Sequence, residues 1–278
     1  MNTKLTNIVE QFAFEGTICE IKPLGEGLIN DTYKVKTCET DRPDYVLQRI
    51  NHHVFPDIDR VMHNIDAVTS HIRNTLAAKE TPDIDRRVLR FLPTKKDGNL
   101  YTMLNDGTYW RMMVFIDNAI TKQNIDIENS REAGRAIGDF QKMLADIPVH
   151  LGESIKDFHN MEFRLEQLHN VVKKDPAGRV KEERVQKMLA EIGTRAEEMC
   201  KAERLGREGI LPKRVCHCDT KVNNMLFDKE GKVICIIDLD TVMPGLVGYD
   251  FGDAIRANTN FTREDDPDLS KVGINLDY

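Results

Sequence analysis

Three polar residues in the carboxy-terminal half have the types and spacing needed to handle a phosphate chain. Asp219 is followed five residues later by Asn224, and Asp238 comes after a short predicted hairpin. A carboxylate at Asp219 could accept the proton of a hydroxyl group, while Asn224 and Asp238 could supply oxygen ligands to Mg²⁺. Because Mg²⁺ keeps several waters and binds phosphate oxygens directly, one or two carboxylates and an amide suffice. The spacing predicts phosphoryl transfer from Mg·ATP to an alcohol.

Two charged neighbours extend this group. Lys221 follows Asp219 by two residues, so its ammonium group could neutralise charge on the transferred phosphoryl group, with a solvated lysine as the alternative. Asp240 follows Asp238 by two residues, and side chains so spaced point the same way in an extended backbone. We expect Asp240 to hold a second ion or a loop. The predicted catalytic residues are Asp219 and Lys221, and the predicted metal ligands are Asn224, Asp238 and Asp240.

The tripeptide Asp250-Phe251-Gly252 spells the metal-binding tripeptide of protein kinases but lies too far along the chain. It begins 31 residues beyond Asp219, whereas Asp238 lies 19 residues beyond it. A single hairpin can span the shorter interval, which assigns the metal to Asp238. Asp250 is instead predicted to brace the site by accepting backbone N–H bonds from the loop around Asp219.

A glycine-rich segment, residues 24–31, joins two predicted strands near the amino terminus. Gly25 and Gly27 have no side chains, so the backbone could approach phosphates closely, and Asn30 follows them. No G-x-x-x-x-G-K-[ST] sequence occurs, and the segment links strand to strand rather than strand to helix. The segment therefore predicts a phosphate-covering hairpin, with an ordinary turn as the alternative.

The strand predicted at residues 45–50 lacks the lysine that usually grips the α- and β-phosphates. Arg49 is expected to take this place, with Leu47 on the same face as a roof over adenine and Asp59 or Asp66 as acidic partner. The backbone of residues 114–116 is expected to hydrogen bond to adenine, although a plain core strand is the alternative. The predicted nucleotide-binding residues are Gly25, Gly27, Asn30, Leu47, Arg49, Val114, Phe115 and Ile116.

The order of elements indicates two lobes. In the first 117 residues, strands are predicted at 17–23, 32–37, 45–50, 88–92, 100–104 and 109–116, with one helix at 57–79. Helices then dominate, with one starting at an N-cap on Ser130, others at 158–172 and 180–205, and a hairpin at 225–237. The expected fold is α+β and bilobal like protein kinases. Its amino lobe is 1–117, its carboxy lobe is 118–278, and ATP lies between them.

Composition restricts the partners and the location. The formal net charge of -7 lacks the excess of Lys and Arg that nonspecific nucleic-acid binding requires. No apolar run approaches the roughly 20 residues that span a bilayer, and residues 1–14 lack the pattern of a signal peptide. We therefore expect a cytoplasmic protein without nucleic-acid or membrane partners. Its cysteines are scattered rather than arranged as a disulfide framework: Cys19, Cys38, Cys200, Cys216, Cys218 and Cys235. The pair Cys216 and Cys218 is expected to be buried, reduced thiols beside a strand end, with metal binding as the alternative.

The motif residues resemble the aminoglycoside phosphotransferase and choline kinase superfamily. Within it, the blocks at residues 25–33, 219–224, 237–245 and 250–256 look like those of N-acetylhexosamine 1-kinases. The resemblance implies ATP- and Mg²⁺-dependent phosphorylation of the anomeric hydroxyl of N-acetylglucosamine or N-acetylgalactosamine. The expected partner is thus a small sugar.

One further expectation and two alternatives accompany the resemblance. The family continues with carboxy-terminal helices that help to close the sugar site, whereas this sequence stops at Tyr278. A truncated form with an incomplete acceptor pocket is therefore expected. The alternatives are a kinase for another alcohol, such as an aminoglycoside, choline or a homoserine-like compound, and a nucleotide-binding module without catalysis.

Overall fold

The amino lobe is built on a five-stranded antiparallel sheet. The structure, a computed structural model, describes residues 3–25, 29–123, 126–262 and 266–277. The strand order is β1-β2-β3-β5-β4. The elements are α1 (Thr3–Val9), β1 (Ile18–Pro23), β2 (Asp31–Thr37), β3 (Tyr45–Ile50), α2 (Ile58–Ala78), β4 (Thr102–Met103) and β5 (Tyr109–Val114).

Alternation along β3 divides this sheet into two faces. Leu47 packs in an apolar cluster with Leu5 and Ile8 of α1, and we call this side the outer face. Ile50 packs in a different cluster with Ile65 of α2, on the side we call the inner face. Because successive side chains of a strand point to opposite sides, odd-numbered residues of β3 lie on the outer face and even-numbered ones on the inner face.

Helix α2 forms where the sequence predicts a helix. Asp57 caps it, because its side chain accepts a hydrogen bond from the backbone N–H of Arg60 at 3.0 Å. Its buried residues recur at helical spacing and include Val61, Ile65 and Ile72. The helix therefore buries one face beneath the sheet.

The carboxy lobe is mostly helical. Its helices are α3 (Ile127–Met143), α4 (Met161–Lys174), α5 (Glu183–Met199), α6 (Lys201–Arg207) and α7 (Val247–Asn258). Its strands are β6 (Arg214–Cys216), β7 (Met225–Phe227), β8 (Val233–Ile236) and β9 (Met243–Gly245), with β6 paired to β9 and β7 to β8. The predicted α+β, bilobal class is thus confirmed, while the lobe boundary at residue 117 stays a prediction.

Helix α2 connects the two lobes. The apolar cluster that contains Ile65 continues to Phe140 of α3 and to Val242. The fully buried Asn64 adds polar contacts, since its Nδ2 donates to the carbonyl oxygens of Gly152 at 2.7 Å and Val242 at 2.9 Å. Buried amides are stable only when they are paired in this way. The lobes therefore share one core beside the predicted site.

Some predicted elements were wrong. Residues 88–92 run beside β5 with a single isolated bridge, Phe91 to Met113, and form no strand. Helix α3 begins after Asp126, whose side chain accepts from the N–H of Asn129 at 2.8 Å, rather than after Ser130. The helix predicted at 180–205 is interrupted at Cys200, and helix α1 was missed. The local spacing of apolar residues predicts where a buried segment lies, but it predicts neither the strand with which that segment pairs nor the residues at which it begins and ends.

The cysteines depart from the expectation at one pair. Cys19 and Cys38 form a disulfide across the β1–β2 hairpin, which the scattered arrangement of the cysteines did not predict. Cys216 and Cys218 are free and buried, as expected for thiols beside a strand. In the part of the chain that the structure describes, no helix is both long and apolar enough to cross a membrane.

Candidate active site

The catalytic loop, residues 217–224, joins β6 to β7 and brings three predicted residues together. The side-chain amide of Asn224 donates to Oδ2 of Asp219 at 2.8 Å and to its carbonyl oxygen at 2.9 Å. Lys221 Nζ lies 3.2 Å from the same Oδ2. The side chains of Asp219 and Lys221 are 22% and 24% exposed, so a substrate can reach both. The loop presents a carboxylate and a cation side by side.

A second loop, residues 237–242 (the metal loop), is tied directly to the catalytic loop. The N–H of Ile237 donates to the carbonyl oxygen of Asn224 at 2.9 Å. His217 Nε2 lies 2.9 Å from the carbonyl oxygen of Ile237, and its Nδ1 accepts the N–H of Asp219 at 3.2 Å. A neutral imidazole with its proton on Nε2 satisfies both contacts. These bonds set Asp238 beside Asn224 in the fold.

Asp238 has an unusual backbone and an unusual carboxyl group. Its backbone φ of 59° lies in the left-handed region, which residues other than glycine rarely adopt. Such backbone strain recurs at functional sites. The residue keeps an exposed surface that a ligand can reach. The protein around the carboxyl group nevertheless shields it from much of the solvent, and this desolvation raises the pKa of Asp238 to about 6. The negative charges of Asp240 and Asp219 contribute to this rise. A cation at this position would offset the repulsion.

The side chain of Asp240 contacts the amino lobe. The chain forms a 3-10 turn over Leu239–Thr241, so the extended alternation that we predicted for Asp238 and Asp240 is wrong. Asp240 is only 2% exposed, and its two oxygens accept from Arg111 Nη1 at 2.5 Å and from Asn30 Nδ2 at 2.7 Å. Its role as a metal ligand stays a prediction. In this structure the carboxylate joins the metal loop to the amino lobe.

Asp250 braces the catalytic loop, as predicted. Its fully buried carboxylate accepts the backbone N–H of His217 at 3.1 Å and that of Cys218 at 2.8 Å. Gln141 of α3 donates to it as well, at 2.8 Å. Cys218 has a φ of 65°, and these bonds hold that strained residue in place. The prediction that Asp250 accepts N–H bonds from this loop is confirmed.

A second brace on α7 was missed by the sequence analysis. Asp253 accepts the backbone N–H of Thr220 at 2.6 Å, and the hydroxyl of Thr220 donates to the carbonyl oxygen of Asp250 at 2.8 Å. Residues three apart on a helix share a face, so the spacing of Asp250 and Asp253 is the signal that could have revealed it. Two consecutive parts of the catalytic loop are thus bound to one helix.

The assignments of Leu47 and Arg49 were wrong. The two residues share a face of β3, as predicted, but it is the outer face. Leu47 is fully buried against α1. Arg49 is exposed and pairs with Asp31 on β2 at 3.0 Å, rather than with Asp59 or Asp66. A strand alternates with period two, so a shift of one residue exchanges the two faces.

The inner face presents a different cation, which the sequence analysis missed. Arg111 of β5 lies directly opposite Gln48 of β3 and is 2% exposed. Its Nε and Nη2 donate to Gln48 Oε1 at 3.0 and 2.9 Å. The available signal was a single arginine inside the apolar strand at 109–116. A charge in such a strand is stable only if a buried partner exists.

The glycine-rich segment is described at both of its ends. Gly25 has a φ of +74°, which explains why a residue without Cβ is needed there. Gly27 lies outside the described residues. Asn30 donates to Asp240, as noted above, and its Oδ1 accepts the N–H of Asn51 at 3.0 Å. The segment therefore ends against the metal loop.

The predicted adenine-binding residues form the end of β5 and its exit. The N–H groups of Val114 and Phe115 donate to the carbonyl oxygens of Arg90 and Asp44, both at 2.9 Å. Within the described ranges, the N–H of the buried Ile116 has no acceptor. Of the three residues, Ile116 therefore offers an unused backbone donor. Adenine binding at 114–116 stays a prediction.

The sequence pattern of one family extends over nearly all of these elements. The phosphotransferase enzyme family matches residues 20–274, which include the glycine-rich segment, both loops and α7. The chain belongs to this family.

Solved structures of other kinases share the fold of this phosphotransferase at low identity. An amicoumacin kinase in complex with AMP-PNP, Ca²⁺ and Ami has a TM-score of 0.59 at 12% identity, with 92% of this chain and 69% of that chain covered. The aminoglycoside phosphotransferase from Alicyclobacillus acidocaldarius has a TM-score of 0.58 at 12% identity, with 88% and 68% covered. Ethanolamine kinase from Plasmodium vivax has a TM-score of 0.52 at 15% identity, with 98% and 66% covered. These matches confirm the kinase-like bilobal fold.

The residues of this phosphotransferase fit a magnesium ion that is shared with phosphates. In the described ranges, no group of three or more His, Cys, Asp and Glu side chains could hold a metal by itself. Asn224 uses its amide nitrogen on Asp219, which leaves its carbonyl oxygen as a ligand. Asp238 adds a carboxylate. One carboxylate and one amide oxygen suit Mg²⁺ only when phosphate oxygens and waters complete its shell.

Proposed function

We propose that this phosphotransferase uses Mg·ATP to phosphorylate the anomeric hydroxyl of N-acetylglucosamine or N-acetylgalactosamine. The observation that carries the phosphoryl-transfer part is the bond from the amide of Asn224 to Asp219, in a loop tied to that of Asp238. The resemblance of residues 25–33, 219–224, 237–245 and 250–256 to N-acetylhexosamine 1-kinases supports an N-acetylhexosamine as the acceptor. The AMP-PNP and Ca²⁺ named with the amicoumacin kinase support a nucleotide and a divalent metal.

Each residue has a role in this proposal. Asp219 orients the hydroxyl group and accepts its proton late, because phosphoryl transfer has a loose transition state. Lys221, beside it, neutralises charge on the transferred group. The carbonyl oxygen of Asn224 and the carboxylate of Asp238 hold Mg²⁺, which neutralises the phosphates when bound. The N–H of Ile116 is the donor for adenine.

A kinase for an amine-bearing alcohol is the second candidate. The solved structures with the same fold are named for kinases of aminoglycosides, amicoumacin and ethanolamine. The intact set of Asp219, Asn224 and Asp238 argues against the non-catalytic alternative. A cytoplasmic location stays a prediction.

A screen of acceptors tests the proposal. The purified protein is incubated with ATP and Mg²⁺ and one acceptor at a time, and ADP formation is measured for N-acetylhexosamines, free hexosamines, hexoses, choline, ethanolamine and aminoglycosides. We expect the highest kcat/KM with an N-acetylhexosamine and none above background in Asp219→Asn. Turnover with choline, ethanolamine or an aminoglycoside but with no N-acetylhexosamine would select the second candidate.

A further inference from the structure

A buried ion pair joins the inner face of the sheet to the metal loop. Arg111 and Asp240 are separated by 129 positions in the chain, and each side chain is only 2% exposed. Arg111 Nη1 donates to Asp240 Oδ1 at 2.5 Å. A buried charge is strongly unfavourable unless its partner is present, so this contact fixes one lobe against the other.

The guanidinium group of Arg111 is held in one orientation. Two of its nitrogens donate to Gln48 Oε1, and Gln48 Nε2 in turn donates to Thr32 Oγ1 at 3.0 Å. Gln48 is neutral, so Asp240 supplies the negative charge. A planar fork can serve Gln48 and Asp240 together, whereas the single ammonium of a lysine cannot reproduce both contacts.

The second oxygen of Asp240 holds the glycine-rich segment. Asn30 Nδ2 donates to Asp240 Oδ2 at 2.7 Å, and Asn30 Oδ1 accepts from the N–H of Asn51 at the end of β3. The carboxylate of Asp240 therefore accepts one hydrogen bond from the sheet, through Arg111, and one from the end of the glycine-rich segment, through Asn30. This segment would cover the phosphates. Asp240 lies two residues from Asp238, the proposed metal ligand.

We propose that Arg111 is a positioning residue for the metal-bound nucleotide. Through Asp240 it fixes the loop that carries Asp238, and through Asp240 and Asn30 it fixes the end of the glycine-rich segment over the same place. Binding groups that are already placed lose less entropy when the nucleotide arrives. This inference rests on the proposed kinase function and concerns only its nucleotide-binding half, so it is independent of the acceptor.

Nucleotide binding with and without metal tests the inference. Dissociation constants are measured by calorimetry on the full chain for AMP-PNP, both with excess Mg²⁺ and with EDTA, and for ADP with EDTA. The variants are Asn30→Ala and Arg111→Lys, with Arg49→Met as the matched control on the outer face of the same sheet. We expect the two variants to bind Mg·AMP-PNP about tenfold more weakly, the effect of losing a hydrogen bond to a charged group. Metal-free ADP binding should change by less than about twofold, and Arg49→Met should match the wild type.

Three results would overturn the inference. They are unchanged Mg·AMP-PNP binding in Asn30→Ala, equal weakening of both nucleotides, and a wild type that binds AMP-PNP no more tightly with Mg²⁺ than without it. Asn30 is only partly buried, so Asn30→Ala gives an answer even if Arg111→Lys does not fold. If the metal-dependent difference is found but no sugar is phosphorylated, the acceptor proposal fails and the role of Arg111 stands.

Discussion

The side-chain amide of Asn224 donates a hydrogen bond to Oδ2 of Asp219 at 2.8 Å. One nitrogen thus orients the proposed base, and the oxygen of the same amide remains for the metal. The base and a metal ligand are therefore positioned together, and neither can move without the other.

Replacing this amide should affect catalysis far more than folding. Asn224→Asp removes the donor and sets a second carboxylate against Asp219, so we expect kcat to fall by roughly 100-fold or more. The control is Asn223→Ala, because Asn223 Oδ1 is buried without a hydrogen-bond partner in the described part of the chain. Its kcat should stay within about twofold of the wild type. Steady-state kinetics on proteins with matched thermal melts make the comparison, and equal losses in both variants would contradict the role of Asn224.

Removing the brace should lower stability and leave the metal site in place. Asp250→Ala strips the partner from two buried N–H groups, those of His217 and Cys218, and should lower the free energy of unfolding by about 3 kcal/mol. Urea denaturation measures this, with Phe251→Ala as the control, since Phe251 is 68% exposed. If a stably folded Asp250→Ala protein instead lost Mg·AMP-PNP binding, the metal would belong to Asp250 rather than to Asp238.

The motif in the carboxy lobe could be predicted because its parts lie close together in the chain. Asp219, Asn224 and Asp238 fall on two adjoining loops, so spacing alone brought them together. The strand face of Arg49 could not be predicted in this way, because a period of two fits either face until α1 covers one of them. Arg111 was missed because its partner, Asp240, lies 129 positions away. The turn at Asp238 was missed because a positive φ at an aspartate leaves no mark in the spacing of apolar and polar residues.

The reassignment of Arg49 leads to a prediction of no effect on catalysis. Arg49→Met breaks only an exposed ion pair with Asp31, so the free energy of unfolding should change by less than about 1 kcal/mol. The KM for ATP should stay within about twofold, measured with the preferred acceptor from the screen. A tenfold rise in that KM would restore Arg49 as a phosphate ligand.

The pKa of Asp238 predicts how nucleotide binding depends on pH. Its carboxyl group has a pKa of about 6, so protons compete with Mg²⁺ below that value, and Mg·AMP-PNP affinity should fall as the pH drops from 7 to 5. Because the nucleotide also titrates, the ratio of wild-type to Asp238→Asn affinities is the quantity to follow by calorimetry. We expect the ratio to decline below pH 6 and to be constant above pH 7.

The raised pKa of Asp238 also predicts how the free energy of unfolding depends on pH when no Mg²⁺ is present. Folding raises the pKa of Asp238 from 3.8 to about 6. Protonation of this carboxyl group therefore stabilises the folded protein at low pH, and this stabilisation is lost as the pH rises through about 6. Asp238→Asn should therefore be more stable than the wild type at pH 7 without Mg²⁺, and this difference should shrink at pH 5. A constant difference in urea denaturation would contradict the assigned pKa.

The position of the transferred phosphate on the product distinguishes a sugar 1-kinase from a kinase of any other hydroxyl group. The wild type is incubated with ATP, Mg²⁺ and, in separate reactions, N-acetylglucosamine and N-acetylgalactosamine, and the products are examined by ³¹P and ¹H nuclear magnetic resonance. We expect a phosphate coupled to the anomeric proton of at least one of the two sugars, with ADP formed in equal amount. A phosphate coupled to the protons at C6, or ADP with inorganic phosphate alone for both sugars, would contradict the proposed reaction.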